Sequence, residues 1–284
     1  MKLRSIAFGA LLVLQAGLVL TGGAVRLTGS GLGCPTWPEC TPGSYTPVPH
    51  QAEGQLHAWI EFGNRLLTFA LVAVALIVLA IVLRSKRKDL RLLALGQVLG
   101  ILGQGVLGGI TVLTDLHPLP VAGHLLLSIV LISGATSLYE RRNSTSVKIA
   151  NTNSPISLIS RAHVALAFIV IVLGTLVTGS GPHAGDEQAK RFGFDIRTVA
   201  WLHADAVIAL FGLTLTLYFL AGISVTTKKI IRIFFLIALL QGLIGYIQYF
   251  TGIPEVLVAA HLLGATLVWI AAWRVRLSIS HVTN

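Results

Sequence analysis

The sequence predicts an all-α integral membrane protein with eight transmembrane helices, arranged as two parallel-repeat four-helix bundles. Three observations support this fold class. Hydrophobic residues make up 54% of the 284-residue chain and charged residues only 11%, with a mean hydropathy of +0.81, which excludes a soluble globular protein. Eight apolar stretches are long enough to cross a bilayer core, which requires about 20 residues per helix. The two halves of the chain also repeat one another.

The apolar stretches define the predicted helices in chain order. We place the spans near residues 5–25, 57–83, 92–114, 118–138, 163–180, 198–222, 233–252 and 255–273. Only helices and closed barrels satisfy backbone polar groups in lipid, and these stretches lack the alternation of barrel strands. Lys2 and Arg4 precede the first stretch as in a signal peptide, but its long apolar run and the lack of a small-residue cleavage site indicate a retained helix.

Basic residues lie mainly on one predicted side of the membrane. That side holds Lys2, Arg4, Arg84, Lys86, Arg87, Lys88, Arg91, Arg141, Arg142, Lys148, Arg161, Lys228, Lys229, Arg232, Arg274 and Arg276. The opposite side holds Arg26, Lys190, Arg191 and Arg197. The positive-inside rule then predicts a multi-pass protein of a bacterial cell membrane with both termini in the cytoplasm. The net charge of +10 indicates topology and contact with the lipid bilayer, and we expect no nucleic-acid partner.

The repeat is clearest between residues 104–126 and 241–263. Each segment reads Gln-Gly-x-x-Gly, then a turn, then Val-x-x-His-Leu-Leu, with His124 and His261 at equivalent places. Thr-Gly-Ser-Gly also ends both the first and the fifth span. The halves are therefore 1–142 and 155–284, joined by a cytoplasmic linker, 143–154. An even number of helices per half gives both halves one orientation, related by an axis along the membrane normal.

Histidines form a layer at one depth in the even-numbered spans. His124, His203 and His261 each lie about six residues from an outer helix end, on the order of 10 Å deep, and Asn64 takes the corresponding place in the second span. Two histidines on facing helices at matched depth are typical of a haem iron site, which predicts axial ligation by His203 and His261. The alternative is a packed pair bonded to backbone carbonyls, but polar residues at this depth are usually functional.

The first half lacks the second histidine. His124 faces Asn64, and an amide is a poor iron ligand, so a haem here would have one strong axial bond. Glu61 lies one turn before Asn64, with Arg65 directly after it. A carboxylate buried beside an iron centre is costly unless it pairs or exchanges protons. Glu61 could simply neutralise Arg65, but we favour a chemical role, because this half also lacks the second histidine.

The only cysteines, Cys34 and Cys40, lie in the first outer loop. The short proline-rich turn between them faces an oxidising compartment, which favours a structural disulfide over a reactive dithiol. The sequence has no Cys-x-x-Cys-His, so covalent c-type haem attachment is excluded.

Taken together, these residues resemble the haem A synthase family over essentially the whole chain. The most specific element is the outer loop Cys34-Pro35-x-Trp37-Pro38-x-Cys40, and the eight spans, Glu61 and the three histidines agree with it. The resemblance implies an enzyme that oxidises a methyl group of haem O to a formyl group by two successive hydroxylations, giving haem A for terminal oxidases. It also implies haem O synthase as the upstream partner and an electron acceptor or donor whose identity is unknown.

The same resemblance implies roles for individual residues. His203 and His261 would ligate a resident haem b, His124 would ligate the substrate iron, and Glu61 would be the catalytic carboxylate. Cys34 and Cys40 would match the family's outer-loop disulfide. The family commonly has Glu-x-x-His in the second span, where this chain has Glu61-Phe62-Gly63-Asn64. We therefore expect His124 alone to hold the substrate iron, with Asn64 lining the open side.

Two other functions remain open at this point. A diheme b-type cytochrome that only passes electrons would keep the histidine layer, but it predicts matched ligand pairs in both halves and gives Glu61 no task. A transporter built from parallel repeats would surround a pathway, but the sequence shows no broken helices at the midplane.

Overall fold

The computed structural model describes residues 2–143, 148–149, 154–220 and 223–282. Eight long helices dominate this part of the chain, and all eight are long and apolar enough to cross a membrane. The helices are α1 Lys2–Leu27, α2 Gln55–Arg84, α3 Arg91–Leu113, α4 Pro118–Arg141, α5 Pro155–Ser180, α6 Ile196–Phe219, α7 Val225–Phe250 and α8 Glu255–Ser280. The predicted eight-helix, all-α membrane protein is thus confirmed.

Two helices begin earlier than the hydropathy pattern predicts. We expected the fifth and seventh spans to begin near residues 163 and 233, whereas α5 begins at Pro155 and α7 at Val225. Ser154 and Ser224 cap these helices, each accepting a hydrogen bond from a backbone N–H three residues later. Polar residues near the start of each helix interrupt the apolar run from which its span was placed. These are Arg161 in α5, and Thr226, Thr227, Lys228 and Lys229 in α7.

In each half the four helices pack as a ring. α1 and α3 each contact both α2 and α4, and α5 and α7 each contact both α6 and α8. The helices that carry the histidine layer are therefore diagonal to one another, facing across the centre of each ring. Large apolar side chains such as Phe69, Leu92 and Phe250 remain exposed on the outer surface, as expected for helices that face lipid.

The two rings share one hydrophobic core through α1, α4, α5 and α8. Buried Ile132 of α4 and Ala272 of α8 belong to the same cluster as Val19 of α1. The Trp269 indole N–H donates to the Ile129 carbonyl at 2.8 Å, and Trp273 donates to the Ser137 hydroxyl at 2.7 Å. The division of the chain at 1–142, 143–154 and 155–284 stays a prediction.

Short backbone contacts join the rings at both membrane faces. Part of the predicted linker, residues 144–147 and 150–153, lies outside the described residues. Its centre forms strand β1, Lys148–Ile149, which pairs antiparallel with strand β2, His281–Val282. On the opposite side, the Gly31 N–H donates to the Gly185 carbonyl at 2.9 Å, which joins the first outer loop to the loop between α5 and α6.

Candidate functional site

His203 of α6 and His261 of α8 face each other across the second ring. Their ring centres lie 6.4 Å apart, with the ring planes at 65°. Two imidazoles that share one metal ion, each with a metal–nitrogen bond of about 2 Å, have ring centres on the order of 6 Å apart. The pair is thus spaced to accept a single metal ion between the two rings.

The surroundings of His203 favour ligation of a metal through its Nε2 atom. Nδ1 of His203 lies 3.0 Å from the Val170 carbonyl oxygen, so it carries the proton and leaves Nε2 as an acceptor. Histidines that ligate metals almost always donate their other ring N–H in this way. Nδ1 of His261 lies beside Gly245 and has no hydrogen-bond partner among the described residues. Nδ1 of His163 is also unpaired, so the contact that favours Nε2 as a ligand is the one made by His203.

Glycines on the neighbouring helices make room for the imidazoles. A Cβ at Gly245 would lie 3.0 Å from Cε1 of His261, and one at Gly174 would lie 3.4 Å from Cε1 of His203. In the first ring, a Cβ at Gly108 would lie 3.3 Å from Nε2 of His124. The second glycine of each Gln-Gly-x-x-Gly motif therefore lies directly against the histidine of the repeat.

In the first ring, no histidine of the diagonal helix α2 lies at the depth of His124, because the histidine of α2, His57, is in its first turn, with Nδ1 2.9 Å from the Ser30 hydroxyl. Asn64 is at the depth of His124, and its side-chain oxygen accepts a hydrogen bond from the Thr21 hydroxyl of α1 at 2.7 Å. This bond holds the amide toward α1. The sequence did not indicate Thr21, because it lies 43 residues away from Asn64 with no motif to mark it.

Glu61 lies at the centre of a polar contact between α2 and the first outer loop. The side chain is buried, with 6% exposure, and Oε2 accepts the Cys34 backbone N–H at 2.7 Å. Oε1 accepts from Nη2 of Arg65 at 2.7 Å. Both interpretations of Glu61 thus meet here: the carboxylate neutralises Arg65, and it is also held in a fixed, buried position.

Arg65 extends the same contact to the loop backbone. Its guanidinium donates to the carbonyl oxygens of Cys34, Thr36 and Glu39 at 2.9, 3.1 and 3.2 Å. Three carbonyls and one carboxylate on one guanidinium use its fixed fork of donors, which a lysine could not reproduce. Glu61 and Arg65 together fix the loop against the outer end of α2.

Cys34 and Cys40 are joined in a disulfide, as the sequence predicted. The loop also covers α3, because a Cβ at Gly109 would lie 2.6 Å from Cδ2 of Trp37. Gly109 directly follows the glycine beside His124. The disulfide loop therefore lies over the outer end of the first ring, against Glu61 of α2 and Gly109 of α3.

Comparison with known proteins now places the chain. A family model described as cytochrome oxidase assembly protein, COX15-CtaA, matches residues 5–185. The chain belongs to this family. It is 31% identical over 176 residues to a protein named Heme A synthase from Shewanella oneidensis, covering 57% of this chain and 51% of that protein. It is 29% identical over 103 residues to a Heme A synthase from Geobacillus thermodenitrificans, covering 35% of this chain and 30% of that protein.

The matches do not extend over every candidate residue of this COX15-CtaA family member. The segments matched to the two relatives cover 51% and 30% of those proteins, so the chain matches about half of their length or less. The family match includes Cys34, Cys40, Glu61 and His124 and ends before His203 and His261. For the second ring, the observation that supports a site is therefore the geometry of the facing histidines.

Gly33→Ala should loosen the outer loop. A Cβ at Gly33 would lie 2.3 Å from the His57 carbonyl oxygen, a backbone atom that cannot move without shifting α2. We expect the Cys34–Cys40 disulfide to become more accessible to reductant, measured as the rate of thiol labelling in detergent micelles. Gly22→Ala is the control, since a Cβ there meets nothing within 4 Å. Equal labelling rates in both variants would contradict the close contact between this loop and α2.

Proposed function

We propose that the chain is a haem A synthase that oxidises a methyl group of haem O to a formyl group by two successive hydroxylations, giving haem A for terminal oxidases. The observation that carries the proposal is the asymmetry between the rings. One ring has two facing histidines at matched depth, whereas the other has His124 and Asn64 at that depth and a buried carboxylate nearby. The names of the two relatives support the same activity.

The second ring would hold a resident haem b, with His203 and His261 as its axial ligands. The spacing of the two imidazoles and the Val170 acceptor for His203 both fit this group. When bound, haem b supplies one-electron redox chemistry. The protein contributes ligand spacing, a fixed tautomer on His203 and an apolar surrounding from the shared core.

The first ring would hold haem O as the substrate, with His124 as its only strong iron ligand. Asn64 would line the open side. Turning a methyl into a formyl group removes four electrons, and the geminal diol formed by the second hydroxylation loses water. Glu61 would accept a proton or stabilise positive charge that develops at the methyl carbon. Arg65 and the Cys34 amide orient this carboxylate, which restricts it to one position.

The proposal includes partners and a location. Haem O synthase would supply the substrate. With water as the source of the inserted oxygen, the four electrons would pass to an electron acceptor. With dioxygen as the oxidant, an electron donor would supply two electrons per hydroxylation to reduce the second oxygen atom to water. The asymmetric distribution of Lys and Arg supports a bacterial cell membrane orientation with both termini in the cytoplasm. The same basic residues would contact anionic lipid and not nucleic acid.

The activity can be tested in a bacterial host that makes haem O and no haem A. We expect extracted membranes to contain haem A, separated by chromatography, only when the host expresses this chain. His124→Ala is the matched control, because it removes the proposed substrate ligand and leaves the second ring intact. Unchanged haem O and no haem A in a host with well-expressed, folded protein would overturn the proposal.

A further inference from the structure

Gln104 and Gln241 are the first residues of the two Gln-Gly-x-x-Gly motifs, and the structure gives them the same contact. Nε2 of Gln104 donates to the backbone carbonyl of His124 at 3.1 Å. Nε2 of Gln241 donates to the backbone carbonyl of His261 at 2.7 Å. In each ring, a side chain of one helix therefore binds the main chain of the next at the residue that carries the imidazole.

A contact at this place restricts the histidine itself. Carbonyls in a helix interior already accept the N–H four residues later, so the glutamine amide is an additional donor. It fixes α4 against α3, and α8 against α7, in both depth and rotation. Because the imidazole leaves the same residue, its direction toward the ring centre is fixed as well.

The contact is kept at a cost in both rings. Oε1 of Gln104 and Oε1 of Gln241 are buried without a hydrogen-bond partner among the described residues. Burying an unpaired acceptor is unfavourable, and the same unpaired oxygen occurs twice. At both repeated positions, the hydrogen bonds found for the amide among the described residues are therefore made by its Nε2 donor.

Each ring accommodates the amide differently. In the second ring a Cβ at Gly264 would lie 1.8 Å from Oε1 of Gln241, so this glycine leaves space for the amide. In the first ring Gln104 donates to the Ser128 hydroxyl at 2.6 Å. The surroundings differ while the bond to the histidine carbonyl is the same. The repeated element is therefore this bond.

We propose that Gln104 and Gln241 are positioning residues for the histidines of the two haem sites. Gln241 sets the direction of the His261 ligand toward the resident haem, and Gln104 does the same for His124 and the substrate haem. This inference rests on the proposed haem-binding function of the two rings. The second glycine of each motif, Gly108 or Gly245, leaves space beside the imidazole of the corresponding histidine.

Gln241→Met tests the inference in the second ring. Methionine has a similar length and no donor, so the bond to the His261 carbonyl is lost with little change in packing. Substitutions in the outer shell of a metal site typically lower affinity by about 10- to 100-fold, and we expect a loss in that range for haem b titrated into apoprotein. We also expect a shifted haem absorption spectrum and midpoint potential, which a purely structural role would not change.

Leu243→Met is the control on the same helix. Leu243 lies two residues after Gln241 and its side chain is 56% exposed on the outer surface, so haem b affinity and potential should equal those of the wild type. Gln104→Met is the counterpart in the first ring. It should weaken the binding of added haem O, measured by spectral titration, and leave the resident haem b spectrum unchanged.

Wild-type haem b affinity and spectrum in a folded Gln241→Met protein would overturn the inference. If that variant does not fold, unchanged haem O affinity in Gln104→Met would overturn it instead. Failure of the proposed function would give a different result. If haem b binds through His203 and His261 but no haem A forms, the proposed synthase activity is refuted, whereas the role of Gln241 is not affected.

Discussion

His203→Ala or His261→Ala should yield purified protein without tightly bound haem b. The imidazoles of His203 and His261 face each other with their centres 6.4 Å apart, so each would supply one of two axial bonds to a single iron. Losing either bond leaves the iron with an open coordination position inside an apolar ring of helices, and the haem should then dissociate during purification. Haem b per chain, measured by pyridine haemochromogen, is expected to fall from about one to near zero.

His163→Ala is the matched control for this result. His163 is also a fully buried histidine of the second ring, but its Nε2 lies 3.1 Å from the Thr214 hydroxyl and its ring packs edge-on against Phe234. Its removal should cost stability through lost packing while haem b remains bound. Normal haem b content in both the His203 and the His261 variants would refute the ligand assignment.

Glu61→Gln should stop haem A formation while haem b stays bound. Glutamine keeps the volume and one oxygen that can accept the Cys34 N–H, but it removes the charge and the proton acceptor. General acid–base groups contribute typically about 10²- to 10⁴-fold to rates, so we expect at least the lower of these losses in haem A formed per chain. The haem b spectrum of the purified variant should match that of the wild type.

Arg65→Lys separates chemistry at Glu61 from anchoring of the loop. Lysine keeps a positive charge next to Glu61 and loses the fork that reaches the Cys34, Thr36 and Glu39 carbonyls. If Glu61 acts chemically, this variant should keep most of its activity although the loop is less firmly held. Equal losses in Arg65→Lys and Glu61→Gln, or wild-type rates in Glu61→Gln, would assign Glu61 to anchoring alone.

Features encoded locally in the sequence could be predicted well. The eight helices follow from apolar runs whose length the bilayer sets, and the disulfide follows from two cysteines separated by a short turn. The facing of His203 and His261 followed from equal depth on alternate helices. The helices and the disulfide follow from patterns within one helix or loop, whereas the histidine pair follows from matched positions in two helices.

Contacts between distant parts of the chain could not be predicted in the same way. The bond from Thr21 to Asn64 and the bonds from Arg65 to the loop depend on side-chain directions that helical spacing leaves open. The repeat marked Gln104 and Gln241 without showing what they bind. Their target is a backbone carbonyl, and a backbone carbonyl has no signature in the sequence.

The haem inventory of the purified protein, expressed with a supply of haem O, shows whether the two helix rings differ in function. The two rings are proposed to have different tasks, one holding a resident haem and the other exchanging substrate for product. Extraction and chromatography should therefore recover haem b at about one per chain, together with haem O and newly made haem A. Haem b alone, at two per chain and with no haem A, would contradict the account and identify the protein as an electron-transfer cytochrome.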